Sequence, residues 1–287
     1  MPTFKITLAY DGTNYVGWQR QAAGTSIQGL IEAALRQLDG CDVGVIGAGR
    51  TDAGVHALGQ VASFSLRRAI EPDALVRALN ARLPTDIRVL SADAVAAEFH
   101  ARYHPGTKTY RYRICNTAVL SPFERHYAWH VVEPLDVNAM DGAARSLEGR
   151  HDFAAFASAG GTTRTTERTV WRSRVSRTTN LSATEERSTT EDTGDTEEQT
   201  GLTPRVLRVL RGGDLIRGGD LIVYEITGDG FLRHMVRAIA GTLVEIGRGR
   251  RSIEQMRDAL ASRDRGRAGP TAPASGLFLV GVEYRDL

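Results

Sequence analysis

The sequence predicts an α+β fold made of two similar α/β-sandwich-like halves, each a mainly antiparallel sheet backed by helices. Three observations predict it. Apolar and polar residues alternate over Thr3–Tyr10 and again over Thr109–Cys115, the period of half-buried strands. Apolar stripes at helical spacing stand between such strands, so that the first hundred residues run strand, helix, strand, strand, helix, strand. Finally, a basic connection over 99–106 ends in Pro105-Gly106, a break that divides residues 1–104 from 105–287.

In the first half, Phe4, Ile6 and Leu8 line one side of the opening strand. The loop from Asp11 to Gln21 carries Tyr15, Trp18, Gln19 and Arg20; it suits stacking and phosphate contact, and equally a loop folded over the core with Trp18 as its plug. Ser26 caps a helix through Leu38, whose stripe is Ile27, Leu30, Ile31, Ala34, Leu35 and Leu38. Val43, Val45 and Ile46 lead, as a buried strand, into a glycine-rich turn, and a strand around Val61–Leu66 follows it. Pro72 starts a helix to about Arg82, and Ile87–Leu90 is a short strand.

In the second half, Tyr110, Tyr112 and Ile114 share one face of a strand, and Arg111 and Arg113 the other. Interleaved rings and guanidinium groups suit RNA, although tyrosines in the core with arginines in solvent would look the same. Tyr127–Val132 is expected as a strand, and Asp136 caps a helix through Leu147. Over Val170–Ser176, strict alternation groups Trp171 with Ser173 and Val175. Residues 180–204 are rich in Thr, Ser and Glu and almost free of apolar side chains, an insertion that cannot repay the entropy of folding. RGGDLI then occurs twice, at 211–216 and 217–222, a local duplication before a strand over Leu221–Thr227. Phe231–Ile246 is expected as a helix, and Ser252 with Gln255 as a capping box opening another through Ala261. Leu277–Tyr284 closes the sheet.

Composition narrows the classes of function. A length of 287 residues with 41% hydrophobic and 24% charged content is enough for a real core. No run of about 18 uncharged apolar residues suggests a membrane span, and the N-terminus lacks a leader pattern, so a cytoplasmic protein is expected. Two cysteines, Cys41 and Cys115, are too few for a disulfide framework or a zinc site. His126/His130 and His100/His104 share a four-residue spacing, yet the first pair lies in a strand pattern and no helical stripe frames the second, so no metal is expected there. The overall charge of +2 is uneven: residues 183–200 hold seven acids against Arg187, a net −6, which leaves the rest of the chain at +8. Such a basic body fits a polyanionic partner, and RNA is the simplest one.

The stretch GAGRTDAGVHALGQVASF, residues 47–64, concentrates chemistry. Gly47, Gly49 and Gly54 permit tight backbone, and among them stand Arg50, Thr51, Asp52 and His56. Asp52 is the only carboxylate of the turn, and a guanidinium as near as Arg50 favours its ionised form, the form needed for attack or proton abstraction. Read alone, Asp52 could equally cap the turn through backbone N–H groups. The segment Arg50-Thr51-Asp52-Ala53-Gly54-Val55-His56 resembles the signature of the tRNA pseudouridine synthase A family. Further segments agree in family order: Tyr10-Asp11-Gly12 with Gly17-Trp18-Gln19-Arg20, Phe99-His100-Ala101-Arg102, Tyr110-Arg111-Tyr112, Phe231 with His234-Met235-Val236-Arg237, and Thr271-Ala272-Pro273 with Gly276-Leu277. Val170 stands where the family usually has proline, and the RGGDLI repeat departs from its pattern.

The resemblance implies an enzyme that isomerises uridine to pseudouridine at positions 38, 39 and/or 40 of the tRNA anticodon arm, with no cofactor. It implies Asp52 as the catalytic residue, attacking C1′ or the base or taking the 2′ proton. Tyr110 would lie against the target base, Arg237 beside the carboxylate, and Phe231 in the pocket wall. Arg50 and Arg102, within two of the motifs, are expected to bind substrate, while Tyr112 is expected in the core. The resemblance further implies a homodimer and an active-site cleft between the halves of each chain. A noncatalytic RNA-binding protein of two α+β modules would account for the charge and the Tyr/Arg strand but leaves Arg50-Thr51-Asp52 without a purpose. A metal-dependent nuclease is a third, weaker alternative.

Overall fold

The computed structural model describes residues 1–158, 160, 165–178 and 221–284. The expected acidic insertion at 180–204 and the RGGDLI repeat up to residue 220 lie outside the described residues. The first half begins with β1 (Thr3–Tyr10), whose alternating burial follows its sequence, and α1 (Ile27–Asp39), whose Gly29 N–H is accepted by the Ser26 side chain. The strand expected over Val43–Ile46 narrows to β2 (Ile46–Gly47), which pairs with β3 (His56–Ser65). β3 is buried along nearly all its length because β1 flanks one edge and the connection near Ala101 covers the side opposite the helices, where Ser63 accepts the Ala101 N–H. α2 (Pro72–Asn80) and β4 (Ile87–Val95) complete this half, β4 running five residues beyond the expected Leu90 as it pairs along β1.

Past residue 104 the chain enters β5 (Pro105–Cys115). Only Trp129–His130 of the expected 127–132 strand forms one, β6, which runs parallel to the end of β5. α3 (Val137–Arg145) is capped by Asp136, and β7 (Gly149–Asp152) pairs with β8 (Glu167–Arg177). In β8 a register shift between Val170 and Arg172 adds a residue, so Val170, Ser173 and Val175 turn inward. Trp171, expected with Ser173 and Val175, is therefore 44% exposed. β9 (Leu221–Gly228), α4 (Met235–Gly247) and α5 (Ile253–Ser262) follow, α5 with both bonds of its capping box. The helix expected from Phe231 starts four residues late because His234 has φ 61°, which no right-handed helix accepts.

β10 (Leu277–Tyr284) is not an outer strand. It lies between β3 and β5, parallel to the first and antiparallel to the second, so the two half-sheets run into one another. The order is β4-β1-β3-β10-β5-β9-β8-β7. One row of neighbouring residues crosses from half to half: Tyr10, Ala57, Leu279, Tyr110, Ile226 and Ser173. Cross-strand partners stand on the same side of a sheet, so Tyr10 and Tyr110 share a face. The helices back that face, and one continuous core cluster reaches from Phe4 and Leu35 to Leu243 and Met256. The architecture is α+β, a mostly antiparallel sheet backed by helices.

Candidate active site

The turn between β2 and β3 is pinned from several directions, which leaves its one carboxylate free to point outward. Thr51 is buried, with its hydroxyl 2.8 Å from the Tyr10 Oη, and its carbonyl accepts the Trp18 N–H. Gln60 Nε2 donates to the Gly49 carbonyl, and the Val55 N–H closes back on the Asp52 carbonyl. The loop from Asp11 to Gln21 lies directly over the turn; a Cβ on Gly12 would come within 2.0 Å of the Val55 oxygen, so only glycine allows the approach. Trp18, 3% exposed, plugs this loop into the core against Tyr10 rather than offering its ring to solvent. Burial of Tyr10 drives its phenol up to about 12, so it remains a neutral hydrogen-bonding partner for Thr51.

The Asp52 side chain is 29% exposed and meets two groups from the far half. Arg237 Nη1 and His234 Nε2 each stand 3.5 Å from the same oxygen, Oδ2. Arg237 is held from behind: its Nε donates to the Ala272 carbonyl at 2.8 Å, while its own carbonyl accepts the Ala272 N–H. That bracing requires α4 to touch the 269–273 segment, and it does so at Gly241, where a Cβ would fall 1.8 Å from the Pro270 oxygen. His234 caps α4 from a left-handed backbone, a strain of about 1 kcal/mol or more of the kind found at functional positions. Its Nδ1 lies 2.8 Å from the Ser158 Oγ. Burial lowers the His234 pKa, and the arginines Arg237, Arg233 and Arg265 add to this against the pull of Asp52. Because a carboxylate oxygen cannot donate, a neutral His234 ring would present its proton at Nε2 to Asp52 and leave Nδ1 to accept from the Ser158 hydroxyl.

Aromatic groups border the carboxylate. Tyr110 lies beneath, almost wholly buried, and meets Phe231 edge to face at 5.1 Å between centroids. Burial, then the phenol of Tyr10 and the charge of Asp52, push the Tyr110 phenol far up, and its hydroxyl has no hydrogen-bond partner among the described residues. Tyr112, next on the same face of β5, is fully buried and donates to the Pro273 carbonyl, as a core residue would.

The structure thus gathers Asp52, Arg237, Tyr110 and Phe231. Arg50, expected to help ionise Asp52, is exposed and forms no ion pair with it; the carboxylate's cation comes from 185 residues away instead. Arg102 is exposed in the connection before β5, near Lys108. His234 is the residue sequence reasoning passed over. It belongs to the segment His234-Met235-Val236-Arg237, three residues before Arg237, but its placement depends on where α4 begins. Two concavities, about 690 Å³ between the ends of α3, α4 and α5 and about 430 Å³ beside β2 and residues 97–100, do not include Asp52.

Arg237 and His234 on one carboxylate oxygen, with Tyr110 and Phe231 in ring contact nearby, make this turn the candidate active site. The family model described as tRNA pseudouridine synthase matches residues 6–104 and 143–285. The chain belongs to that family and is an isomerase acting on tRNA. It is 46% identical to the tRNA pseudouridine synthase A of Moorella thermoacetica over 99% of this chain and 100% of the relative. The enzyme of the same name from Myxococcus xanthus is 42% identical over 100% and 93%, and that from Lacticaseibacillus casei 38% over 99% and 100%. No helix among the described residues is long and apolar enough to cross a membrane.

Proposed function

We propose that this protein converts uridine to pseudouridine at positions 38, 39 and/or 40 of the tRNA anticodon arm, as a cytoplasmic homodimer, with Asp52 as its catalytic residue. The reaction breaks the bond from N1 to C1′, turns the uracil, and forms a bond from C5 to C1′. The proton lost from C5 is balanced by one gained at N1, so no net redox change or group transfer occurs. The observation that carries the reading is the division of labour on one carboxylate. Arg237 and His234 approach Oδ2, whereas Oδ1 accepts no hydrogen bond among the described residues and is the oxygen we assign to attack or proton removal.

The target must leave its stack to reach such a carboxylate. Phe231 and Tyr110 would then flank the extruded base, and Tyr110, kept protonated, would hydrogen-bond to it without adding charge. Arg50 and Arg102, both exposed, would contact the RNA backbone around the site. The test is D52N: it should bind unmodified tRNA as the parent does and form no pseudouridine at positions 38–40. Turnover by D52N would refute the role of Asp52, and a parent enzyme that modified other positions would refute the target.

A further inference from the structure

The chain has 36 basic residues, but only Lys5 and Lys108 are lysines. Lys5 makes an ordinary surface pair with Asp93 at 3.1 Å. Lys108 does not. It stands on β5 two residues from Tyr110 and on the same face, beside Gly228 of β9 and Val282 of β10. The catalytic turn passes over both side chains: Lys108 Nζ and the Tyr110 Oη lie 4.0 and 3.9 Å from the point where a Cβ on Gly49 would stand. The ammonium is half-buried, with no hydrogen bond or ion pair among the described residues. Arg102 and Arg168 add like charge around it. The one acid near enough to matter, Asp229, already accepts the Thr169 N–H.

We infer that Lys108, flanked by Arg102 and Arg168, is a phosphate subsite of the catalytic face, taking the phosphodiester next to the uridine presented to Asp52. This rests on the function proposed above and adds to it the group that fixes the strand. Removing a cation from water without a counter-ion is costly, and burial, reinforced by the two arginines, lowers the Lys108 pKa to about 8. A phosphate supplies the missing charge. The contact carries no base information; it sets the register in which a nucleotide meets the carboxylate.

Having only two lysines makes the test direct. In D52N protein labelled with 15N at lysine Nζ, two signals appear, and Lys5 serves as the internal control. Free protein should show Lys108 titrating near 8; saturating unmodified tRNA should move that midpoint up by about one unit or more, inorganic pyrophosphate should move it in the same direction, and Lys5 should stay put. K108M should weaken tRNA binding about tenfold and reduce the slope of log affinity against log salt by roughly 0.7–0.9, and K108R should restore both. Bound tRNA that leaves the Lys108 titration unchanged overturns the subsite, as does a K108M protein with parental melting and an unaltered salt slope. A K108R protein that binds no better than K108M, although it melts like the parent, also overturns the subsite. A Lys108 signal that moves while the parent forms no pseudouridine would leave the subsite standing and refute the catalytic reading instead.

Discussion

Two aspartates of the first half each lie beside a histidine, and their surroundings are opposites. Asp11 is bonded on both oxygens: Oδ1 accepts from the Thr13 N–H and Oγ1, and Oδ2 from the Tyr127 hydroxyl at 2.6 Å. Burial raises its pKa, yet these hydrogen bonds outweigh it and hold the carboxyl below the usual range. The neighbouring His56 is neutral, because burial lowers its pKa more than Asp11 raises it. Its Nε2 donates to the His126 carbonyl and its Nδ1 accepts the Gly12 N–H, so the 3.1 Å approach of Nδ1 to Asp11 is a shared grip on one loop rather than an ion pair. Asp52, by contrast, has two looser contacts, both on one oxygen. A carboxylate with hydrogen bonds on both oxygens is suited to structure, and one bonded on a single oxygen keeps acceptor capacity for chemistry.

Disabling each in turn sharpens that contrast. D52N should lower pseudouridine formation by about 10⁴-fold or more, the upper range for losing an acid–base or nucleophilic group, with melting unchanged. R237K comes next, with kcat down about 10²-fold, since an ammonium cannot reach Asp52 and the Ala272 carbonyl at once; single-turnover rates at saturating tRNA would measure it. D11N should reverse the pattern: loss of about 1–3 kcal/mol of stability, seen in urea unfolding, with kcat per folded molecule within a few-fold of the parent. A D11N enzyme as stable as the parent but inactive would erase the distinction between the two sites.

His234 gives a smaller effect. H234N keeps a residue that tolerates the left-handed backbone, so its melting should match the parent while kcat falls about tenfold. The smallest effect is on pH. His56 and His234 both have folded pKa values below the unfolded one, so the unfolded chain binds protons more readily. Their contribution is fully present above about pH 6.5 and is lost as pH falls through the folded values. Urea midpoints between pH 5 and 7.5 should therefore rise with pH, and H56N should flatten the rise.

Much of this was legible locally. Ser26, Asp136 and the Ser252/Gln255 box cap helices where the sequence places them, because a cap is a contact over three residues. The Tyr110–Tyr112 face followed from the period of a strand, and Asp52 stood out as a lone carboxylate in a turn of glycines. Where a feature depended on a partner, reading failed. Trp171 turned outward because β8 has a bulge that only its register with β9 creates, and α4 began late because His234 is committed to Asp52 and Ser158.

The sequence by itself determined which residues could be reactive and which elements would carry them, since periodicity, caps and turn chemistry act over a few residues. Tertiary structure decided what those candidate residues meet. β10, the last described strand, was inserted between the halves, and the ladder it completes sets Tyr110 beneath the turn and brings the α4 end to Asp52 across 185 residues. Hydrogen-bond ladders and core packing join distant segments by shape, and no local pattern records that.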